Sequence, residues 1–350
     1  MNDSRKLKWI DGAKFIAILA VMIDHTTGIL YHNEKIRLMS FFSVSLFILL
    51  SGITSWENDK GKGGSPFEEY FLSIKKIMYA YFIATFFYQI IDHKFFDLNQ
   101  YIYYIIHFNA SGPFYFVLLY LQLMLFRRPF KTILKAIKKN AQGVYLEGII
   151  LMFIIGISCL TTAYSNVLGV YGGGGKLFGG TYLILFYTGM LFAKHHVLEE
   201  TSERSGLLCR FLGGGVGGFL WILWISMSFK AVDSVEMFIA TGRAMNPPGL
   251  IIMISACLMM LFTYGLFGML DRINLSWLTG ALEVVYWLGR HTLYMFLYHR
   301  FFLDYFLIPY VMIDNIWLKR IVYLIVMIGG SMLIEKAVTR FTLVVKGSFN

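Results

Sequence analysis

Charge is scarce in this chain: only 15% of its 350 residues are Asp, Glu, Lys or Arg, against roughly 25% in soluble globular domains. So little polar surface cannot cover a core in water, which excludes a soluble globular enzyme. Cysteine is scarce too. Cys159, Cys209 and Cys257 fall in or beside apolar stretches at no metal-ligand spacing, which excludes a disulfide framework and a cysteine-based zinc site; no metal is expected. Six prolines are few for the broken helices that secondary transporters often use, and no inverted repeat is visible. Long polar stretches are missing as well. The longest are 127–144, 195–206 and 230–247, each too short for a separate soluble domain, so residues 1–350 are expected to form one transmembrane domain.

What the chain has in abundance is apolar helix-length sequence. Hydrophobic residues make up 57% of it and its mean hydropathy is +0.62. Runs of about 20 apolar residues recur, enough to cross a hydrocarbon core of roughly 30 Å. The expectation is an all-α, polytopic integral membrane protein of about ten transmembrane helices, near 10–31, 38–56, 72–92, 101–126, 145–164, 179–194, 207–229, 249–268, 282–307 and 316–338. Aromatic residues suit lipid-facing surfaces and interfacial belts. The first span follows a charged segment at once and has no small-residue cleavage pattern, so it reads as a retained helix.

A net charge of +10 would suit a nucleic-acid partner, but its placement is a topology signal. With Arg5, Lys6 and Lys8 set in the cytosol, about twenty Lys and Arg fall on that side and about nine on the other. Lys60, Lys62, Arg127, Arg128, Lys131, Lys135, Lys138 and Lys139 are among the twenty. Both termini are therefore expected in the cytosol and the span count even, with membrane lipids as surroundings and no nucleic acid bound. Segment 127–144 reads either as an amphipathic stretch along the inner leaflet or as an ordinary basic loop. Segment 57–66 reads as a flexible connector. GGGGKLFGG at 172–180 lacks the Lys-Ser/Thr pair of a phosphate loop and reads as an outer loop or re-entrant turn. GGGVGG at 213–218 supplies small residues for close helix packing.

Ionisable residues inside membrane spans are costly and point to function. The first span, WIDGAKFIAILAVMIDHT, carries Asp11, Lys14, Asp24 and His25. Lys14 and His25 are separated by three helical turns plus about 20°, and so share a face, about 16 Å apart along the axis. Asp11 can pair with Lys14 at i, i+3. A cation at one end could contact a donor phosphate or polarise a carbonyl. An imidazole deep in the span could take a proton from a sugar hydroxyl or carry an acyl group briefly. The plainer readings are that Lys14 snorkels to headgroups and that His25 is a hydrogen-bonding residue between helices. Asp24 lies about 100° round the helix from His25 and cannot orient it as a triad carboxylate would.

The motif Asp-Gly-x-Arg/Lys followed ten residues later by His, here Asp11, Gly12, Lys14 and His25, resembles the signature of the acyltransferase-3 family of membrane acyltransferases. FFSVSLFILLSGITSW, ending in Leu50, Ser51 and Gly52, resembles the family's second span. GPFYFVLLYLQLML resembles its Trp-Phe-Leu region, with Tyr115 where a Trp is usual. LGRHTLYMFLYH, from Gly289 to His299, resembles its late segment. The basic pair expected at the start of the third span stands as Lys75 and Lys76 in SIKK, without the Pro that usually follows.

The resemblance implies a bacterial cytoplasmic-membrane enzyme that takes an acyl group, typically acetyl, from cytosolic acetyl-CoA. The acceptor would be a hydroxyl of a surface or lipid-linked glycan, with polysaccharide synthesis machinery as a further partner. It implies His25 and Lys14 as catalytic residues, Lys75 and Lys76 as donor-binding, Tyr115 and His299 as substrate-binding, and Asp11 and Ser51 as support. No hydrolase-like domain is expected after the last span. Glu147 and Glu283 read as headgroup residues, Glu335 as a partner of Lys336, Arg340 or a headgroup, and His195 and His196 as solvated. The rival readings are a transporter or flippase for a lipid-linked sugar and a non-catalytic component of a polysaccharide export complex.

Overall fold

The computed structural model describes residues 8–32, 34–57, 65–138, 140–163, 179–195, 214–224, 226–227, 249–273 and 275–347. Among these the chain is helical throughout, apart from an isolated bridge between Thr27 and Tyr31. The helices are α1 (Lys8–Thr26), α2 (Glu34–Ser40), α3 (Phe42–Glu57), α4 (Pro66–His93), α5 (Leu98–His107), α6 (Tyr115–Ala136), α7 (Ala141–Ala163) and α8 (Leu183–Lys194). They continue with α9 (Gly214–Trp224), α10 (Leu250–Leu270), α11 (Ser276–Arg290), α12 (Thr292–Phe302) and α13 (Ile316–Gly347).

Local sequence sets several of these boundaries. At the start of α4, Ser65 Oγ accepts from the Glu68 amide while the Glu68 carboxylate accepts from the Ser65 amide. With Pro66 in the first turn, this reciprocal pair satisfies amides that have no intrahelical partner. Asp97 caps α5 by accepting from the amides of Asn99 and Gln100. The α5 C-cap, Phe108, takes a left-handed φ of 52°, so the single span expected over 101–126 is instead two helices bent by 54°.

The span expected over 282–307 is broken as well. Its α11 half ends at Arg290, His291 forms a turn, and α12 runs on into a π-helical turn at Leu303–Leu307. The stretch 127–136, placed beyond the end of the fourth span and read as either an amphipathic stretch or an ordinary basic loop, is the last part of α6. It stays helical because Arg127 and Lys131 turn inward. Lys131 Nζ donates to the Trp56 carbonyl at 2.6 Å and to that of Ser55 at 3.4 Å, neutralising the negative C-terminal end of α3.

Four stretches among the described residues are long and apolar enough to cross a membrane: Lys35–Glu57, Ala141–Thr161, Ile251–Leu270 and Ile316–Thr342. A fifth is added if the bent pair Leu98–His107 and Gly112–Ala136 counts as one span. The structure is therefore that of a helical membrane protein, but ten spans do not emerge from length and apolarity. The physical reason is visible in α1, which carries Lys8, Asp11, Lys14 and Asp24, each with a charged partner inside the bundle or at its end. Charges paired within protein need not face lipid.

The bundle is organised around α1 and α3. Helix α1 packs against α2, α3, α10, α11 and α12, and α3 against α8 and α10. The α3–α8 crossing is close enough that a Cβ on Gly52 would sit 2.1 Å from the Phe186 carbonyl oxygen, and one on Gly189 2.2 Å from that of Leu49. Such small-residue crossings let dispersion forces hold helices together where lipid supplies no hydrophobic drive. Gly214, Gly217 and Gly218 behave in the same way, though Gly215 faces open space: a Cβ on Gly214 would meet Gly265 and one on Gly217 would meet Leu261 and Phe262. Of the other glycine-rich stretch only Gly179 and Gly180 lie among the described residues. They form a short turn in which the Gly179 amide donates to Gln122 Oε1 at 2.6 Å. His196 and segment 230–247 lie outside the described residues.

Candidate active site

Helix α1 sets out its ionisable residues in the order the 3.6-residue repeat dictates. At its first turn Lys8 Nζ reaches Glu283 of α11 at 2.5 Å. One turn on, Asp11 stands 3.8 Å from Lys14 and 3.8 Å from Arg290. Helix α11 approaches this closely because Gly289 has no side chain: a Cβ there would lie 1.9 Å from the Asp11 carbonyl oxygen. Asp11 thus holds two cations on neighbouring helices, and Glu283 is an ion-pair partner of Lys8 instead of a headgroup residue.

Lys14 opens into a cavity of about 300 Å³. Lys76 of α4 and Arg290 of α11 line the same space, so three cations converge there. Ser51 and Thr54 face it from α3, Ser73 from α4 and Thr292 from α12. Each of these hydroxyls donates to a carbonyl of its own helix or the turn before it, at 2.6 to 3.2 Å, which leaves its oxygen free to accept. The arrangement suits an anion that also carries hydrogen-bond donors. A larger depression of about 710 Å³ lies between α4 and α6, lined mostly by apolar side chains with Arg127, Arg128 and Glu69, and it meets the cavity only at Ser73.

Towards the Thr26 end of α1 the cavity is closed by aromatic side chains. Phe47, Phe116 and Phe296 line it and pack on one another with ring centroids 4.9 to 6.3 Å apart. Beyond this layer stands the histidine of α1. The His25 ring lies 5.0 Å from that of His299 on α12, tilted by 35°, and His299 in turn lies 6.1 Å from Phe296. Asp24 turns away and accepts from Arg37 at 3.1 Å. The site therefore has two parts, a cationic cavity and a histidine pair, and Phe296 is the residue that lines the first and stands beside the second.

The family model described as an acyltransferase domain, Acyl_transf_3, matches residues 7–336. The chain belongs to the acyltransferase-3 family. It is a membrane acyltransferase, and the match runs from the first turn of α1 to within α13. No curated protein and no solved structure matches the chain.

Within this acyltransferase the residues singled out by motif fall in three places. Lys14, Ser51 and Lys76 meet at the cavity with Asp11 beside them. His25 and His299 form the pair beyond the aromatic layer. Lys75 and Tyr115 line neither compartment: Lys75 is exposed, and Phe116, Val117 and Tyr120 are the α6 residues that reach the cavity.

Arg290, Thr54, Ser73 and Thr292 were given no role in the site from sequence, although Thr292 lies in the late-segment match and Ser73 opens SIKK. Their signal was present in part, since Ser51 and Thr54, and Ser73 and Lys76, are spaced i, i+3 on apolar helices. Arg290 gave none, because only the break after α11 brings it to Asp11. Elsewhere, Glu147 is buried and bonded to Lys194 and to His195, the latter at 2.5 Å, so neither Glu147 nor His195 is left to headgroups or solvent. Glu335 approaches His291, 2.8 Å away, in place of the partners expected for it.

Proposed function

We propose that this acyltransferase moves an acyl group, acetyl by preference, from acyl-CoA in the cytosol to a hydroxyl of a cell-surface or lipid-linked glycan. It would sit in the bacterial cytoplasmic membrane with about ten helices across it and both termini inside. The observation that carries this reading is the division of one helix between two compartments. Lys14 stands in a cavity with Lys76 and Arg290, a setting for the phosphates of a nucleotide donor. His25 lies about 16 Å farther along α1. A donor anchored by its charged part at the cavity needs a long flexible arm to bring its reacting carbon to His25, and the pantetheine arm of a CoA thioester is such an arm. The basic residues of the inner loops would raise the local concentration of that anion.

In this mechanism His25 takes the proton from the acceptor hydroxyl as its oxygen attacks the thioester carbonyl. The new carbon–oxygen bond forms, the carbon–sulfur bond breaks, and the proton passes from His25 to the departing thiolate, leaving free thiol and the ester. Lys14 binds the donor, with Asp11 and Arg290 fixing its position. The phenylalanine layer keeps water out until the acyl arm passes.

The test is purified protein in lipid vesicles, given acetyl-CoA labelled on the acetyl group and a glycan extract, with transfer followed by mass spectrometry. His25→Ala and Lys14→Ala should each abolish transfer at unchanged protein level, with Lys14→Arg retaining most of it. Full transfer by His25→Ala would sink the assignment, and movement of unmodified glycan across the vesicle would favour the export reading.

A further inference from the structure

His299 is wholly buried on α12. Its Nδ1 lies 3.0 Å from the Met295 carbonyl oxygen and 2.9 Å from that of Phe296. Carbonyl oxygens only accept, so Nδ1 carries the ring hydrogen and donates it back into the helix. That fixes the tautomer, and Nε2 is left as a lone-pair acceptor. Nε2 is buried and has no hydrogen-bond partner, although a buried polar atom without one is costly and uncommon. What lies beside it is the ring of His25, with centroids 5.0 Å apart.

The geometry points to His299 as a positioning residue for His25: its Nε2 accepts a hydrogen bond from one N–H of the His25 ring and thereby leaves the other His25 nitrogen unprotonated and facing the reaction. This rests on the reading of His25 as the general base. Asp24, the carboxylate next to His25 in sequence, does not perform that service, since it is engaged by Arg37. The backbone carbonyls of Met295 and Phe296 fill the orienting role one residue removed, by holding the tautomer of His299. The His299 ring is held by its two carbonyls, so it is the His25 ring that turns to close the contact. When His25 takes up the hydroxyl proton on its other nitrogen, the lone pair on His299 still faces the first N–H and shares the imidazolium charge, a role suited to a neutral neighbour.

The experiment uses the full chain in lipid vesicles with acetyl-CoA as donor. His299→Phe keeps ring and volume but removes the acceptor; His299→Gln keeps a side-chain acceptor. For Phe the expectation is a fall in kcat of about 100-fold with KM for acetyl-CoA within twofold of wild type. For Gln it is recovery to within about tenfold of wild type. A wild-type kcat in His299→Phe, or equal losses in the two variants, overturns the proposal.

Nitrogen-15 spectra of histidine-labelled wild-type protein supply a readout independent of folding in the variants. His299 must show a protonated Nδ1 and an unprotonated Nε2, and a hydrogen on Nε2 overturns the assignment. His25→Ala, assayed beside these, separates the two levels. If it remains active, the role of His25 as base fails; if it is inactive while His299→Phe is normal, only the positioning role fails.

Discussion

Gly280 and Gly289 lie on the same helix, α11, and differ in what stands beside them. An added Cβ at Gly280 meets nothing within 4 Å, whereas at Gly289 it would meet the Asp11 carbonyl oxygen at 1.9 Å and the Asp11 carbonyl carbon at 2.5 Å. The first distance falls about 1.5 Å short of an ordinary carbon–oxygen contact. Both obstructing atoms are backbone, so no rotamer change relieves the overlap and α11 must move away from α1. Alanine is favoured over glycine in a helix by about 1 kcal/mol, so Gly280→Ala should leave stability unchanged or raise it by up to that amount.

At Gly289 the same gain is set against an overpacking cost of about 1–3 kcal/mol, a net loss of up to about 2 kcal/mol. The larger effect falls on activity. Moving α11 takes Arg290 from Asp11 and reshapes the wall beside Lys14, and a misplacement of about 1 Å in a catalytic site can cost on the order of 100-fold in rate. Thermal unfolding of both variants in lipid nanodiscs, with acetyl transfer from acetyl-CoA measured on the same samples, decides the matter. Two variants alike in melting temperature and both fully active would refute the close approach of α1 and α11 and the cavity built on it.

The buried cluster of Glu147, Lys194 and His195 yields a second expectation. Glu147→Gln leaves Lys194 buried without its counter-charge and should cost about 3–5 kcal/mol, while Glu147→Gln with Lys194→Met should cost less than the sum of the single changes in a thermal-unfolding cycle. A third concerns the aromatic layer. Phe296→Leu thins the partition between cavity and histidine pair, and should raise the rate with butyryl-CoA relative to acetyl-CoA; an unchanged ratio would show that Phe296 does not limit the acyl chain.

The face of α1 that carries Lys14 and His25 was legible in the sequence because it is local. Lys14 and His25 share it through the 3.6-residue repeat alone, and Asp11 stands one turn from Lys14 for the same reason. Gly214 and Gly218 were legible as packing surface on similar grounds, since four-residue spacing places them on one side of a helix. Lys76 and Ser51 were legible through motif, but not the fact that they share a cavity with Lys14. Boundaries failed where a non-local contact decided them. The helical state of 127–136 depends on Lys131 finding the carbonyl end of α3, and the break at His291 accompanies the seating of Gly289 against Asp11.

The sequence by itself determined that the chain is a helical membrane protein of the acyltransferase-3 family, because apolar composition and one short motif carry that information residue by residue. It also determined that Lys14 and His25 share one face of α1. Only the tertiary structure decided that Lys14 shares a cavity with Lys76 and Arg290, that Phe296 lines that cavity and stands beside His299, and that His299 lies against His25 with its Nε2 unpartnered. These are contacts between helices far apart in the chain. They depend on crossing points where glycine lets backbones meet, and no periodicity within one helix specifies what its neighbour will present.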